Sequence, residues 1–169
     1  MSMVLIGHRL SADELQAVLE DPTVVTSLIF GDLDDDDDAD MPDPDLDLDK
    51  SWHGIHFLLT GTGWEVGEGA AGAAILGGDD IGEDNGYGPA RLLRPETVRA
   101  VADALDALTI ETLRARFDPH AMAAAEIYPD GWTGEADEFD AFLAPHFAEL
   151  HRFYRTAAEN GEAVLLAIT

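Results

Sequence analysis

Leu48-Asp49-Lys50-Ser51-Trp52-His53-Gly54-Ile55-His56-Phe57-Leu58-Leu59-Thr60-Gly61 decides how this chain is read. It sets the most apolar run of the sequence directly after the most charged one. On a helix, Trp52, Ile55, His56 and Leu59 share a face at spacings of three and four, and Phe57 and Leu58 cover the flanks. A helix that is apolar nearly all round is buried on most sides. Asp49 suits its N-cap, and Gly61 suits the position just past its C-terminus. Gly54 costs a helix about 1 kcal/mol relative to Ala unless a neighbour packs closely against it. Residues 55–59 would also pass as a strand by period. The caps and the length favour the helix.

Working outward from this stretch, residues 3–10 read as a first strand. Ser11 then caps a helix, with Glu14 three residues later completing a capping box. Leu15, Val18 and Leu19 form the apolar face of that helix. Asp21-Pro22 is a second start signal. Residues 23–30, with Val24, Val25, Leu28 and Ile29, suit a short helix, although their β-branched content leaves a strand open. Residues 31–47 form a low-complexity acidic segment. Its like charges repel and it offers nothing to fill a core, so it is expected to be a mobile surface loop. Asp43, Asp45 and Asp47 have the alternate spacing of a calcium loop. That pattern then needs a glycine and, at its twelfth position, a glutamate; Leu48 and Gly54 stand there instead.

Past Gly61, ten of the 28 residues from 61 to 88 are glycine. This glycine-rich region, about 61–90, reads as irregular chain broken by a short apolar piece at Ala73–Leu76. Gly61-Thr62-Gly63 opens like a dinucleotide fingerprint, but Val66 stands where its third glycine belongs. No Gly-Lys-Ser/Thr follows, and Glu65, Glu68, Asp79 and Asp80 would oppose phosphate. Nucleotide binding is therefore not expected. A long glycine-rich loop can still line a pocket.

Helices dominate from Pro95 onward. Val98, Val101, Ala102, Leu105 and Leu108 keep a 3.6-residue period. Thr109 caps a shorter helix with Leu113 and Phe117. Asp118-Pro119 starts another, with Met122, Ala123 and Ile127 inward, and Tyr128-Pro129-Asp130-Gly131-Trp132 turns the chain. The block 135–159 buries Phe139, Phe142, Leu143, Phe147, Leu150, Tyr154 and Ala157, with a kink or break at Pro145. Asn160-Gly161 ends it, and residues 163–168 read as a buried last strand. The two best strands are thus the first and last segments, with helices between them. The fold expected is α+β, mainly helical, one domain over 1–169 packed on a small sheet that includes both terminal strands. A doubly wound parallel sheet lacks enough strands.

A chain of 169 residues fits one domain and can bury about 70% of its unfolded surface. It has no cysteine, which excludes disulfides, thiolate metal sites and cysteine nucleophiles and fits a reducing, cytoplasmic setting. No signal peptide and no membrane span are legible. The net charge is −26, from 9 basic and 35 acidic residues. Eleven aspartates lie between Asp32 and Asp49, and about −15 would remain without them. Such a field repels phosphate backbones and anionic lipid, so neither nucleic acid nor membrane is an expected partner. A basic protein partner or a cation is permitted. Solubility in a strongly acidic proteome is the plainer explanation of the charge.

The run Leu46-Asp-Leu-Asp-Lys-x-Trp52-x-x-Ile55-His56-Phe-Leu-Leu-Thr-Gly61 resembles the signature of the YfbM-like family, a bacterial family of unknown function. Four later stretches match it in order. They are Ala74-Ile75-Leu76-Gly77-Gly78; Tyr87-Gly88-Pro89-Ala90-Arg91; Ile127-Tyr128-Pro129 with Trp132; and the tail from Phe153-Tyr154-Arg155 through Gly161 to Val164-Leu165-Leu166. The resemblance spans residues 46–166, and the acidic run before it looks longer than the family's. The resemblance implies a fold but no activity, cofactor or catalytic residue.

Four residues are carried forward as candidate binding residues: His56, Arg91, Tyr128 and Trp132. His56 matches the family-like signature and lies among apolar residues, where an imidazole needs a hydrogen-bond partner whatever its role. Arg91 follows Gly88-Pro89, and an ion pair with Asp47, Asp49 or Glu126 is the ordinary expectation for it. Tyr128 and Trp132 could line a cleft or simply pack a turn. His53 with His56, and His146 with Glu149, have helical i, i+3 spacing, but neither pair shows the third ligand a metal site needs. No metal and no cofactor are expected, and no serine has a nucleophile-elbow context. The first expectation for function is a noncatalytic interaction protein whose acidic surface takes a basic protein partner, as an immunity protein does. The alternatives are a small-molecule binder or hydrolase-type enzyme with a pocket beside the glycine-rich region, and an acid-adapted protein with no ligand.

Overall fold

The computed structural model describes residues 2–31, 42–135 and 137–169. Its sheet is built from β1 (Leu5–Leu10), β2 (Leu46–Asp49), β3 (Asp79–Ile81), β4 (Ala90–Leu93) and β5 (Ala163–Ile168). The order is β2-β1-β5-β4-β3, and each neighbouring pair is antiparallel. The first and last segments do pair, from Leu5 opposite Ile168 to Leu10 opposite Ala163. Val4 and Thr169 extend the ladder, exchanging N–H···O bonds of 3.0 and 2.8 Å. The fold is α+β and mainly helical.

Alternation along the strands separates two cores. Leu5, Leu46, Leu48, Leu93, Val164 and Leu166 face the larger one. Ile6, Leu10, Ala90, Leu92, Ala163, Leu165 and Ala167 face the smaller one. The smaller core is closed by α1 (Ala12–Glu20) and α2 (Val24–Phe30), through Val18, Val25 and Ile29. The larger core holds α3 (Trp52–Thr60), α4 (Ala73–Leu76), α5 (Pro95–Asp106), α6 (Ile110–Arg116), α7 (Pro119–Ala124) and α8 (Ala144–Glu159). β5 is covered on both faces, which is why Ala163 through Ala167 are all buried and apolar.

Several local signals act as read. Ser11 Oγ accepts the Glu14 N–H while Glu14 Oε1 accepts the Ser11 N–H, so the capping box is complete. Thr109 and Asp118 cap α6 and α7 by accepting from Thr112 N–H and Ala121 N–H. Gly161, at φ 66°, closes α8: its N–H donates to Ala158 O and that of Glu162 to Ala157 O. A π-helical turn, Glu138–Leu143, leads into α8, whose second residue is Pro145. The ring that lacks an N–H is thus accommodated by a wide turn ahead of it.

The structure corrects other expectations. The acidic loop set at 31–47 falls partly outside the described residues, at 32–41. Its end is strand: β2 buries Leu46 and Leu48 and turns Asp47 and Asp49 to solvent. Alternation of Leu with Asp at the edge of a sheet is a half-buried strand, even inside a low-complexity run. Asp49 does not cap α3. It ends β2 at φ 49°, and Ser51 takes the N-cap position with its Oγ donating to Leu48 O at 2.6 Å. The glycine-rich region holds β3 and leads straight into β4, two short strands that owe their form to cross-strand pairing. Leu19 and Ala123 point outward, and Phe142 is half-buried.

Candidate functional site

The central helix is buried over its first five residues, while its C-terminal end, from Phe57 to Thr60, borders a groove shared with Arg116 and Asp118. Trp52, Ile55 and both histidines of α3 are fully buried. A Cβ added to Gly54 would stand 2.9 Å from Leu143 Cδ2 and 3.1 Å from Trp132 Cη2, so this glycine is present for close approach. Trp52 Nε1 donates to Met3 O at 3.0 Å, tying α3 to the chain just before β1.

The two histidines hold the glycine-rich segment against α3. Tyr128 N–H donates into His53 Nδ1 at 2.8 Å, and His53 Nε2 lies 2.8 Å from Gly63 O. Nδ1 must therefore carry the lone pair and Nε2 the proton. One turn later, His56 Nε2 donates to Glu65 O at 3.0 Å. Its Nδ1 is buried and, among the described residues, has no hydrogen-bond partner. Burial pushes both imidazoles below the usual histidine range, His56 to about 4. Both are thus neutral groups that bind carbonyls 63 and 65, and neither offers a proton acceptor to solvent.

The four predicted binding residues do not meet at one place. Tyr128 joins the α3 cluster: its ring lies 6.2 Å from that of Trp52, and its hydroxyl accepts the Met3 N–H at 3.1 Å. Trp132 packs on α3 at Gly54 and donates from Nε1 to Ile127 O at 3.0 Å. His56 is sealed beneath residues 61–66. Arg91 is separate from these. None of the carboxylates expected to pair with it does so: its Nη1 donates to Leu76 O at 2.8 Å and stands 4.0 Å from Asp80 Oδ1. Cross-strand register explains this, because Asp80 lies directly opposite Arg91.

Arg91 lines a cleft of about 140 Å³ over the C-terminal end of β5. Leu5, Leu166 and Ile168 form the floor, Ile75 and Leu76 of α4 one side, and Trp64, Val66, Tyr87 and Pro89 of the glycine-rich region the rest. None of His56, Tyr128 and Trp132 reaches its wall. Trp64 and Tyr87 are the site residues that sequence reasoning missed. An indole set in a glycine-rich irregular stretch was the available signal, since such a stretch cannot supply the neighbours that bury one. Trp64 is 62% exposed, with its ring 4.5 Å from His53 and 6.0 Å from Trp52.

The charge is distributed unevenly. The ion pairs engage Arg9, Arg91, Arg114 and Arg155 with Asp45, Asp80, Asp106, Asp140 and Glu162, and His151 Nε2 is hydrogen-bonded to Asp106 Oδ1. Arg116 donates to Leu58 O. Both edge strands carry outward aspartates: Asp47 and Asp49 on β2, Asp79 and Asp80 on β3. Among the described residues no group of three His, Asp or Glu side chains could hold a metal ion, and no helix is long and apolar enough to cross a membrane.

A family model described as "Domain of unknown function (DUF1877)" matches residues 1–167. The crystal structure of YfbM from Escherichia coli, described as a protein of unknown function, superposes over 100% of both chains with a TM-score of 0.73 at 22% identity. At that identity the likeness is one of fold. No curated protein matches the sequence significantly.

Proposed function

This chain belongs to the DUF1877 family, described as a domain of unknown function, and from that premise we propose that it is a noncatalytic binding protein whose acidic surface takes a basic protein partner. The observation that carries the reading is the pairing pattern of its charges. Five of the nine basic residues are already engaged by this chain's own carboxylates or carbonyls, against 35 acidic residues. Among the described residues, Asp47, Asp49, Asp79 and Asp80 face solvent on the two edge strands of the sheet. Charge there discourages self-pairing and would attract a strand or helix rich in Lys and Arg. The lack of cysteine and the sign of the field support a cytoplasmic protein that binds neither nucleic acid nor membrane.

The test is capture by the immobilised protein from its source cell at low and at physiological salt. A basic protein should be retained, more strongly at low salt. Its purified form should bind the wild type and lose most of that affinity to a variant carrying Asp47→Asn, Asp49→Asn, Asp79→Asn and Asp80→Asn. Retention of nothing basic at either salt, or equal binding to the variant, overturns the reading.

A further inference from the structure

The cleft over β5 is where this strongly acidic protein presents a cation beside exposed aromatic surface. Arg91 is anchored at one corner only, because both of its contacts use Nη1. The Asp80 contact is long, and its side chain is 65% exposed, so it offsets little of the guanidinium charge. Nε and Nη2 bond to no described residue. That edge of a guanidinium carries two parallel N–H groups, which match the two oxygens of a carboxylate. The Leu76 carbonyl fixes the group in place, so little side-chain freedom remains to be lost on binding.

Size and surface narrow the ligand further. An apolar cavity of about 150 Å³ holds one benzene ring, whereas drug-sized ligands and dinucleotides need roughly 300 Å³ or more. At about 140 Å³ the cleft takes one ring-sized body. Leu5 and Ile168 give that body an apolar floor, and Trp64 offers an indole face at the lip. The surrounding field opposes a dianion more than a monoanion, which disfavours a phosphate ester. We infer that the cleft binds a small monocarboxylate with a single flat or aliphatic ring-sized body, its carboxylate on Nε and Nη2 of Arg91 and its body between Trp64 and the Leu5–Ile168 floor. This is a site of opposite sign from the acidic surface, which it meets at Asp80; its test leaves Asp80 unchanged, so its failure and that of the acidic-surface reading are distinguishable.

Three compounds of nearly one shape test it: benzoate, neutral benzamide and cationic benzamidine. Each is titrated into the full chain at constant ionic strength, following the indole N–H resonances of the three tryptophans. The net charge alone favours benzamidine. The proposal requires the reverse order, with benzoate binding at a dissociation constant on the order of 1 mM, at least about tenfold tighter than either analogue, and moving the Trp64 resonance most. Arg91→Gln should weaken benzoate about tenfold and erase its advantage over benzamide. Arg91→Lys, which keeps the charge and loses the fork, should restore only part. Trp64→Ala should weaken benzoate and benzamide by a similar factor; that side chain is mostly exposed, so this variant folds even if the arginine variants do not. Preference for benzamidine, indifference of benzoate to the Arg91 or Trp64 changes, or no benzoate binding at ten times the expected constant would overturn the proposal.

Discussion

Trp52 and Trp64 have ring centroids 6.0 Å apart, yet one is fully buried and the other is 62% exposed. The residue type is the same; the segment differs. Trp52 opens a helix that satisfies its own backbone and is walled in by Leu143, Trp132 and Tyr128. Trp64 rides on irregular chain that α3 holds by two imidazoles. The contrast shows how a glycine-rich stretch without regular structure can still be positioned: side chains of a rigid element take up its carbonyls. It also shows why the open cleft lies on that stretch's side of the molecule, while the helix offers no free group to solvent.

The largest test of this contrast is to truncate each indole. Trp52→Ala should cost about 3–5 kcal/mol of unfolding free energy, adding a cavity to the lost bond with Met3 O. Trp64→Ala should stay within about 0.5 kcal/mol. Denaturant titration of the two variants measures both, and similar losses would erase the distinction between sealed and open sides.

The next test concerns the imidazoles that join the two regions. Burial holds His56 at about 4 in the folded chain, against about 6.5 when unfolded. The unfolded state therefore takes up a proton first as pH falls. The stability tied to neutral His56 is whole above about pH 6.5, drains between 6.5 and 4, and levels off below; it amounts to on the order of 3 kcal/mol. His53, also lowered by burial, acts with the same sign. His56→Gln keeps a donor for Glu65 O and has no titration, so stability curves from pH 7 to 4 should be flatter for the variant. Parallel curves would show that this imidazole is not what couples helix to loop.

The smallest effect compares two glycines. Gly54→Ala gains helix propensity of about 1 kcal/mol but crowds Leu143 and Trp132, for a net loss of about 1 kcal/mol. At Gly63 the nearest atom to an added Cβ is 3.6 Å away, so Gly63→Ala should change stability by less than about 0.5 kcal/mol. Thermal melts of the pair decide it, and a stabilised Gly54→Ala would mean the helix contact is looser than it stands here.

Legibility in the sequence followed the range of the interactions involved. The helices and the caps Ser11, Thr109, Asp118 and Gly161 are set by local period and capping chemistry and could be read, as could the two terminal strands, whereas the cap of α3 fell on Ser51 and not on Asp49. β2, β3 and β4 run three or four residues each and take their form from neighbours distant in sequence. The Leu-Asp alternation of β2 was visible, but the acidic run around it masked it. Of the candidate site, Arg91 was legible as a cation beside glycine-rich chain. Its partner was not, because Asp80 meets it through register across a sheet. Trp64 and Tyr87 are not legible as site residues for a related reason, although Tyr87 stands in a family-like stretch: only the tertiary fold tells which aromatics of an irregular segment end up at an opening.

The strand at the centre of the sheet, β5, follows every helix in the sequence, yet it joins β1 to β4. A chain leaving the ribosome would expose β1 and β4 as two unsatisfied edges until residues 163–168 emerge. Completion of the sheet thus waits on a contact spanning nearly the whole chain, which slows folding and leaves sticky edges exposed in the interval. The aspartates of β2 and β3 charge only the two outer edges, so the inner edges of β1 and β4 stay bare until the last strand arrives between them.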